Sequence, residues 1–206
     1  MPPAERLVPR FAAEPPQEGL PYGRRADVLR EQFLVACERA APDEELGEIR
    51  WHPDRAWGGH TYVPASAPTQ SGRECFGFVS FPTGTEHFAA RADVTDETAE
   101  ANPEWTLDLA DEVVGAWRGE EGRTAEMTLV WGRAMVTGGA LVTAELADLA
   151  VDQCVLTAEG RFTLLAPDAY RGDLLDVKLW SAKGEELARE SLYVDDEDDE
   201  EEGQEA

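Results

Sequence analysis

The stretch Met127–Leu146, M-T-L-V-W-G-R-A-M-V-T-G-G-A-L-V-T-A-E-L, decides the fold. Met127, Leu129 and Trp131 alternate, as a half-buried strand requires, and Val142, Ala144 and Leu146 resume the alternation after Gly138-Gly139. The same grammar recurs downstream. Glu159-Gly160 separates Val151–Leu156 from Phe162 and Leu164, and Lys183-Gly184 separates Leu175, Val177 and Leu179 from Ala188–Tyr193. Glycine in a two-residue turn supplies the positive φ that hairpins need. Three such joints predict hairpins in an antiparallel sheet, most simply a sandwich.

Upstream, Trp105–Leu109 and Glu112–Trp117 are shorter apolar segments around Ala110-Asp111, and Thr95–Pro103 is a polar loop and the natural seam of the chain. Glu74–Phe81 carries Phe76 and Phe78 on one face and Val79 and Phe81 on the other, which predicts a central strand. Pro82-Thr83-Gly84 turns it into His87–Val94. Glu48–His52 and Thr61–Ala65 are short strands around a Gly58-Gly59 turn. Before them, Val28, Leu29, Phe33, Ala36, Cys37 and Ala40 share one helical face over Arg24–Ala40, and Ala41-Pro42 stops the helix.

The expected architecture is α+β and mainly β. A Pro-rich extended arm spans 1–21. A helix on a small antiparallel sheet covers 22–100, and a β-sandwich-like sheet covers 101–194. A solvated acidic tail closes the chain at 195–206.

Charge bounds the partners. The chain has 43 acidic residues against 18 basic ones, a formal net charge of −25. Eight carboxylates stand in a row: Asp195, Asp196, Glu197, Asp198, Asp199, Glu200, Glu201 and Glu202. A surface this negative repels nucleic acid and anionic membranes and attracts basic proteins. Only Lys178 and Lys183 are lysine, a bias expected of a GC-rich genome or a high-salt cytoplasm. Glu5, Glu14 and Glu18 speak against an export signal, and no apolar run is of membrane-spanning length. Cys37, Cys75 and Cys154 are far apart and odd in number, which suits a reducing cytoplasm.

No phosphate-binding glycine loop, dinucleotide fingerprint, zinc-protease helix or nucleophile elbow occurs, so no cofactor is expected. His52 and His60 flank the Gly58-Gly59 turn and would converge if two strands pair there, but their spacing matches no standard metal pattern. Cys75 and His87 fall out of register for a nucleophile and its base: a turn at Gly84 sets His87 near Phe81 and Cys75 near Asp93. Asp93, Thr95, Glu97 and Glu100 lack the ligand ladder of a calcium loop. Neither a catalytic nor a metal residue is assigned.

The richest segment is Arg50–Tyr62, R-W-H-P-D-R-A-W-G-G-H-T-Y. Arginine interleaved with aromatics carries binding energy at interfaces, so Arg50, Trp51, His52, Arg55, Trp57, His60 and Tyr62 form a candidate binding set. The competing reading makes Trp51 and Tyr62 core residues of two strands. The tail, Asp195–Glu202, is a candidate partner-binding element, with solubility as its competing role.

The function expected from these features is a non-catalytic cytoplasmic binding or assembly protein whose acidic surface engages a basic protein. One alternative is a DNA mimic or immunity-type inhibitor of a nucleic-acid-binding protein. The other is an enzyme with a dispersed site near Arg50–Tyr62, which requires a concave pocket holding titratable groups with shifted pKa. The oligomeric state is open.

Overall fold

The computed structural model describes residues 23–85, 87–118, 124–170 and 173–192. The Pro-rich arm and the acidic tail expected from sequence lie outside these residues.

Among the described residues one helix and twelve strands make four layers. Helix α1 (Gly23–Ala40) buries Leu29, Phe33, Ala36 and Cys37, which recur at helical spacing. Its last turn closes with Ala41 N–H donating to the Cys37 carbonyl at 2.8 Å, and Pro42, which has no N–H, follows. The buried face lies on β4 (Glu74–Pro82) and β5 (Ala89–Thr95), where it meets Val63, Ala65, Val79 and Phe81. Phe33 also packs on Trp51 at 5.9 Å, and the Arg25 guanidinium sits over the Phe81 ring at 4.2 Å.

The first sheet runs β1 (Arg50–Trp51), β3 (His60–Pro68), β4, β5, with β2 (Arg55–Trp57) also paired to β3. All its pairings are antiparallel. β4 is the central strand read from its two-faced apolar pattern, because its inner face meets the helix and its outer face meets the next layer.

That next layer is a three-stranded sheet in the order β10 (Arg161–Asp168), β7 (Thr124–Ala134), β6 (Leu107–Arg118). β7 is buried on both sides. Met127, Leu129 and Trp131 face Tyr62 and Phe78 of the first sheet, while Val130 faces the last layer. The last layer is β12 (Glu186–Ser191), β11 (Leu175–Ser181), β8 (Gly139–Leu146), β9 (Leu149–Val155). Phe162 and Leu164 of the central sheet pack against Val142, Ala144, Val177 and Leu179 across this sandwich. The chain is therefore mainly β and antiparallel, with an N-terminal helix on its first sheet.

Three details differ from the sequence reading. Gly138 and Gly160 do adopt positive φ, 90° and 75°, but neither joint is a hairpin. β7 pairs with β6 and β10, and β8 pairs with β9 and β11, so both joints carry the chain from one sheet to the other. Of the three joints, only Gly184 closes a true hairpin, β11 to β12. Second, the β8–β9 hairpin turns on Ala147 and Asp148, at φ 48° and 61°, without a glycine. Third, the segments on either side of Ala110-Asp111 form one strand, β6, with a bulge between Val113 and Gly115. Gly115 is required there, since a Cβ would fall 2.5 Å from the Trp57 ring.

Candidate binding cleft

The seven residues singled out near β1–β3 do not form one site, because strand alternation sends them to different layers. Trp51 faces the helix and packs on Phe33. Tyr62 is buried in the opposite layer, edge-on to Phe78 at 5.8 Å, and burial raises its phenol pKa. Trp57 packs in that layer too, over Gly115. His60 is exposed, with Nδ1 3.3 Å from the Gly58 carbonyl.

Arg55 points into the interior, where its side chain is 0% exposed. Its Nε lies 3.3 Å from Asp152 of β9, and its Nη2 donates to the Gln153 carbonyl at 2.9 Å. Arg55 therefore ties the first sheet to the far side of the sandwich and is unreachable from solvent.

His52 and His60 do not converge. Both lie along β3, but His52 N–H donates to the Pro64 carbonyl while His60 stands opposite Trp57, so the register holds them apart. Cys75 and His87 are separated likewise: Cys75 is opposite Val94, one residue from the expected Asp93, and is buried against Cys37 under the helix, whereas His87 is exposed. Contact with Cys75, followed by burial, pushes the Cys37 thiol far up. Asp93 and Thr95 are engaged locally, accepting from the backbone N–H of Val94 and of Glu97. Among the described residues, no three His, Cys, Asp or Glu side chains come together as metal ligands.

Arg50 and His52, at alternate positions, do share a site. They open onto a cleft of about 290 Å³ between the first sheet and the central sheet. Arg133 of β7, between Arg161 of β10 and Asp108 of β6 in cross-strand register, lines it as well, and so does Arg161. Phe76, Trp105 and Trp131 supply aromatic walls. Glu74, Glu97, Asp108 and Asp111 supply acidic groups. The backbone here is tight: a Cβ on Gly132 would fall 2.0 Å from the Asp108 carbonyl oxygen.

The electrostatics follow from partial burial. Arg161 Nη1 donates to the Trp51 carbonyl at 3.0 Å. Burial lowers its pKa, the charges of Arg50 and Arg133 add to that, and Glu159 opposes it. Burial, together with the charge of Glu74, raises the Asp108 pKa. His52 is only 5% exposed, and its Nδ1 has no hydrogen-bond partner. Burial, helped by the Arg161 charge, holds its pKa at about 3, so the ring is neutral at physiological pH.

This buried histidine gives a pH prediction. Its folded pKa of about 3 lies below the unfolded value of 6.5. The unfolded chain therefore takes up the extra proton as pH falls, and His52 costs stability through that window at about 1.4 kcal/mol per pH unit. Asp54 acts oppositely. Burial raises its pKa to about 6 from 3.8, so the fold gains as pH falls between those values. In an Asp54→Asn background the histidine slope should appear undiluted, and His52→Asn should remove it. Urea midpoints measured from pH 7 to pH 4 check this; identical slopes with and without His52 would contradict it.

Sequence reasoning missed Arg133, Arg161, Phe76 and Asp108 as members of the site, since they come from distant strands. The one local signal was Arg161 directly after the positive-φ Gly160. Comparison with known protein families, with curated proteins and with solved structures finds no match to this chain. Its function is therefore argued from its own geometry.

Proposed function

We propose that this is a non-catalytic binding protein that docks a basic protein partner on its acidic exterior. One observation carries the reading. Between Arg91 and Arg118 the chain has eight carboxylates and no basic side chain. That run follows two sheet edges and the loop between them: β5 ends the first sheet, β6 ends the central sheet, and Arg91 pairs with Glu112 at 2.8 Å where they adjoin. Asp93, Asp96, Glu97, Glu100, Glu104 and Asp111 are all exposed on it. Such a face accelerates encounter with a cationic partner through long-range attraction. The tail at Asp195–Glu202, of the same sign, extends the same chemistry. Three free, buried thiols suit a reducing cytoplasm, and no helix among the described residues is long and apolar enough to cross a membrane.

The cleft holds titratable groups with shifted pKa, His52, Asp108 and Asp111, as the enzyme alternative requires, yet its other chemistry favours binding. Its histidine, held at a pKa of about 3, is a weak base near neutral pH, and its lining includes neither cysteine nor lysine. Carboxylates aligned along adjoining edges also suit the alternative of a nucleic-acid mimic. In that case the partner is itself a nucleic-acid-binding protein, and duplex DNA competes for it.

The test uses the full chain and a variant neutral at Asp93→Asn, Asp96→Asn, Glu100→Gln and Glu104→Gln, immobilised at low and at high salt. Basic proteins from a cell extract should be retained by the parent at low salt only, and poorly by the variant. Equal retention by both chains at both salts would end the proposal.

A further inference from the structure

We infer that the cleft between the first and central sheets is a binding site for a small monoanionic carboxylate with a flat apolar body. Three guanidiniums, Arg50, Arg133 and Arg161, line it within electrostatic reach of one another in a chain of net charge −25. Among the described residues Arg133 and Arg161 are in no ion pair, and Arg50 reaches Glu74 only at 3.6 Å. Asp108 stands opposite Arg133 and Glu74 lies 3.6 Å from Arg50, which offsets part of this charge; a ligand carboxylate would join the guanidiniums that remain without an ion pair. A guanidinium presents a planar pair of donors that matches a carboxylate.

His52 is the independent sign. It lines the same cleft, is 95% buried, and leaves Nδ1 unpaired. Buried polar atoms are nearly always satisfied; the backbone of Phe162 and Gly132 also hydrogen-bonds this ring, and a polar atom of a ligand at Nδ1 would complete its partners.

Phe76, Trp105 and Trp131 then set the rest of the ligand, because aromatic walls favour a flat apolar body. The acids decide the charge. Glu97, Asp108 and Asp111 share the lining and repel a second negative charge, so a carboxylate is favoured over a phosphate dianion. The volume of about 290 Å³ suits a small molecule.

The full chain is titrated with phenylacetate, phenyl phosphate and benzyl alcohol, followed by tryptophan fluorescence and calorimetry. Phenylacetate should bind saturably and more tightly than phenyl phosphate, and benzyl alcohol should not bind. Arg50→Gln and Arg133→Gln should each weaken phenylacetate about tenfold, as expected for one lost charge-assisted hydrogen bond. Their melting temperatures should hold, and His60→Gln should bind like the parent. No saturable phenylacetate binding, tighter phenyl phosphate, or unchanged affinity in both arginine variants would overturn the inference. The exterior docking proposal is read separately, since neither arginine lies on the acidic face and retention of basic proteins should survive both substitutions.

Discussion

Replacing Asp152 by alanine should destabilise the fold by about 3–5 kcal/mol, the range for stranding one partner of a buried pair. The Arg55 side chain is 0% and the Asp152 side chain 4% exposed. Asp152 Oδ2 faces the Arg55 Nε at 3.3 Å and also accepts from the Leu165 N–H at 2.9 Å. Alanine therefore leaves a buried cation without its carboxylate, with the Gln153 carbonyl as a remaining acceptor, and orphans a buried N–H as well. Against a usual domain stability of about 5–15 kcal/mol, this is a large fraction. Asp152→Asn, which keeps an acceptor for Leu165, should cost less. Arg55→Met combined with Asp152→Leu should be more stable than Asp152→Ala, because it buries no unpaired charge. Urea denaturation of the three variants checks the order. A cost below about 1 kcal/mol for Asp152→Ala would show that water or another group already satisfies Arg55.

Trp131→Ala is the second large effect, about 3–5 kcal/mol for a buried aromatic truncated in a layered core. Trp131 is 2% exposed, and its ring lies 6.5 Å from Phe76 and 6.3 Å from Phe78. It belongs to the central sheet and they to the first sheet, so the ring joins the two alongside Met127 and Leu129. It also lines the cleft, so the truncation should remove phenylacetate binding as well as lowering the melting temperature. A melting temperature within about 2 °C of the parent would show that the two sheets are held together by something else.

The strands were legible because alternation is local. Phe162 and Leu164, or Val177 and Leu179, mark buried faces whatever their neighbours are. Strand partners were not legible. The φ values at Gly138 and Gly160 are what a tight turn needs, yet both turns pass between sheets, because a sandwich lets a tight turn either pair its strands or separate them. The turn at Ala147-Asp148 carried no glycine to announce it.

The same distinction governs the site. Arg50 and His52 stand out within one short, unusual segment. Arg133, Arg161 and Asp108 become their neighbours only through the stacking of one sheet on another, which no local pattern records. Arg55 is the instructive case: its surroundings in sequence resemble an exposed binding motif, while its position at the start of β2 directs it into the interior.

The proposed role of the carboxylates along β5, its following loop and β6 is to draw in a basic protein. The most direct measurement is the association rate of the captured partner across about 20–500 mM salt, where screening shortens from roughly 20 Å to below 5 Å. For the parent chain the rate should fall steeply as salt rises. For the four-site neutral variant it should be slow and nearly flat, meeting the parent at high salt. Parallel salt dependences for the two chains, with equal rates at every point, would contradict it.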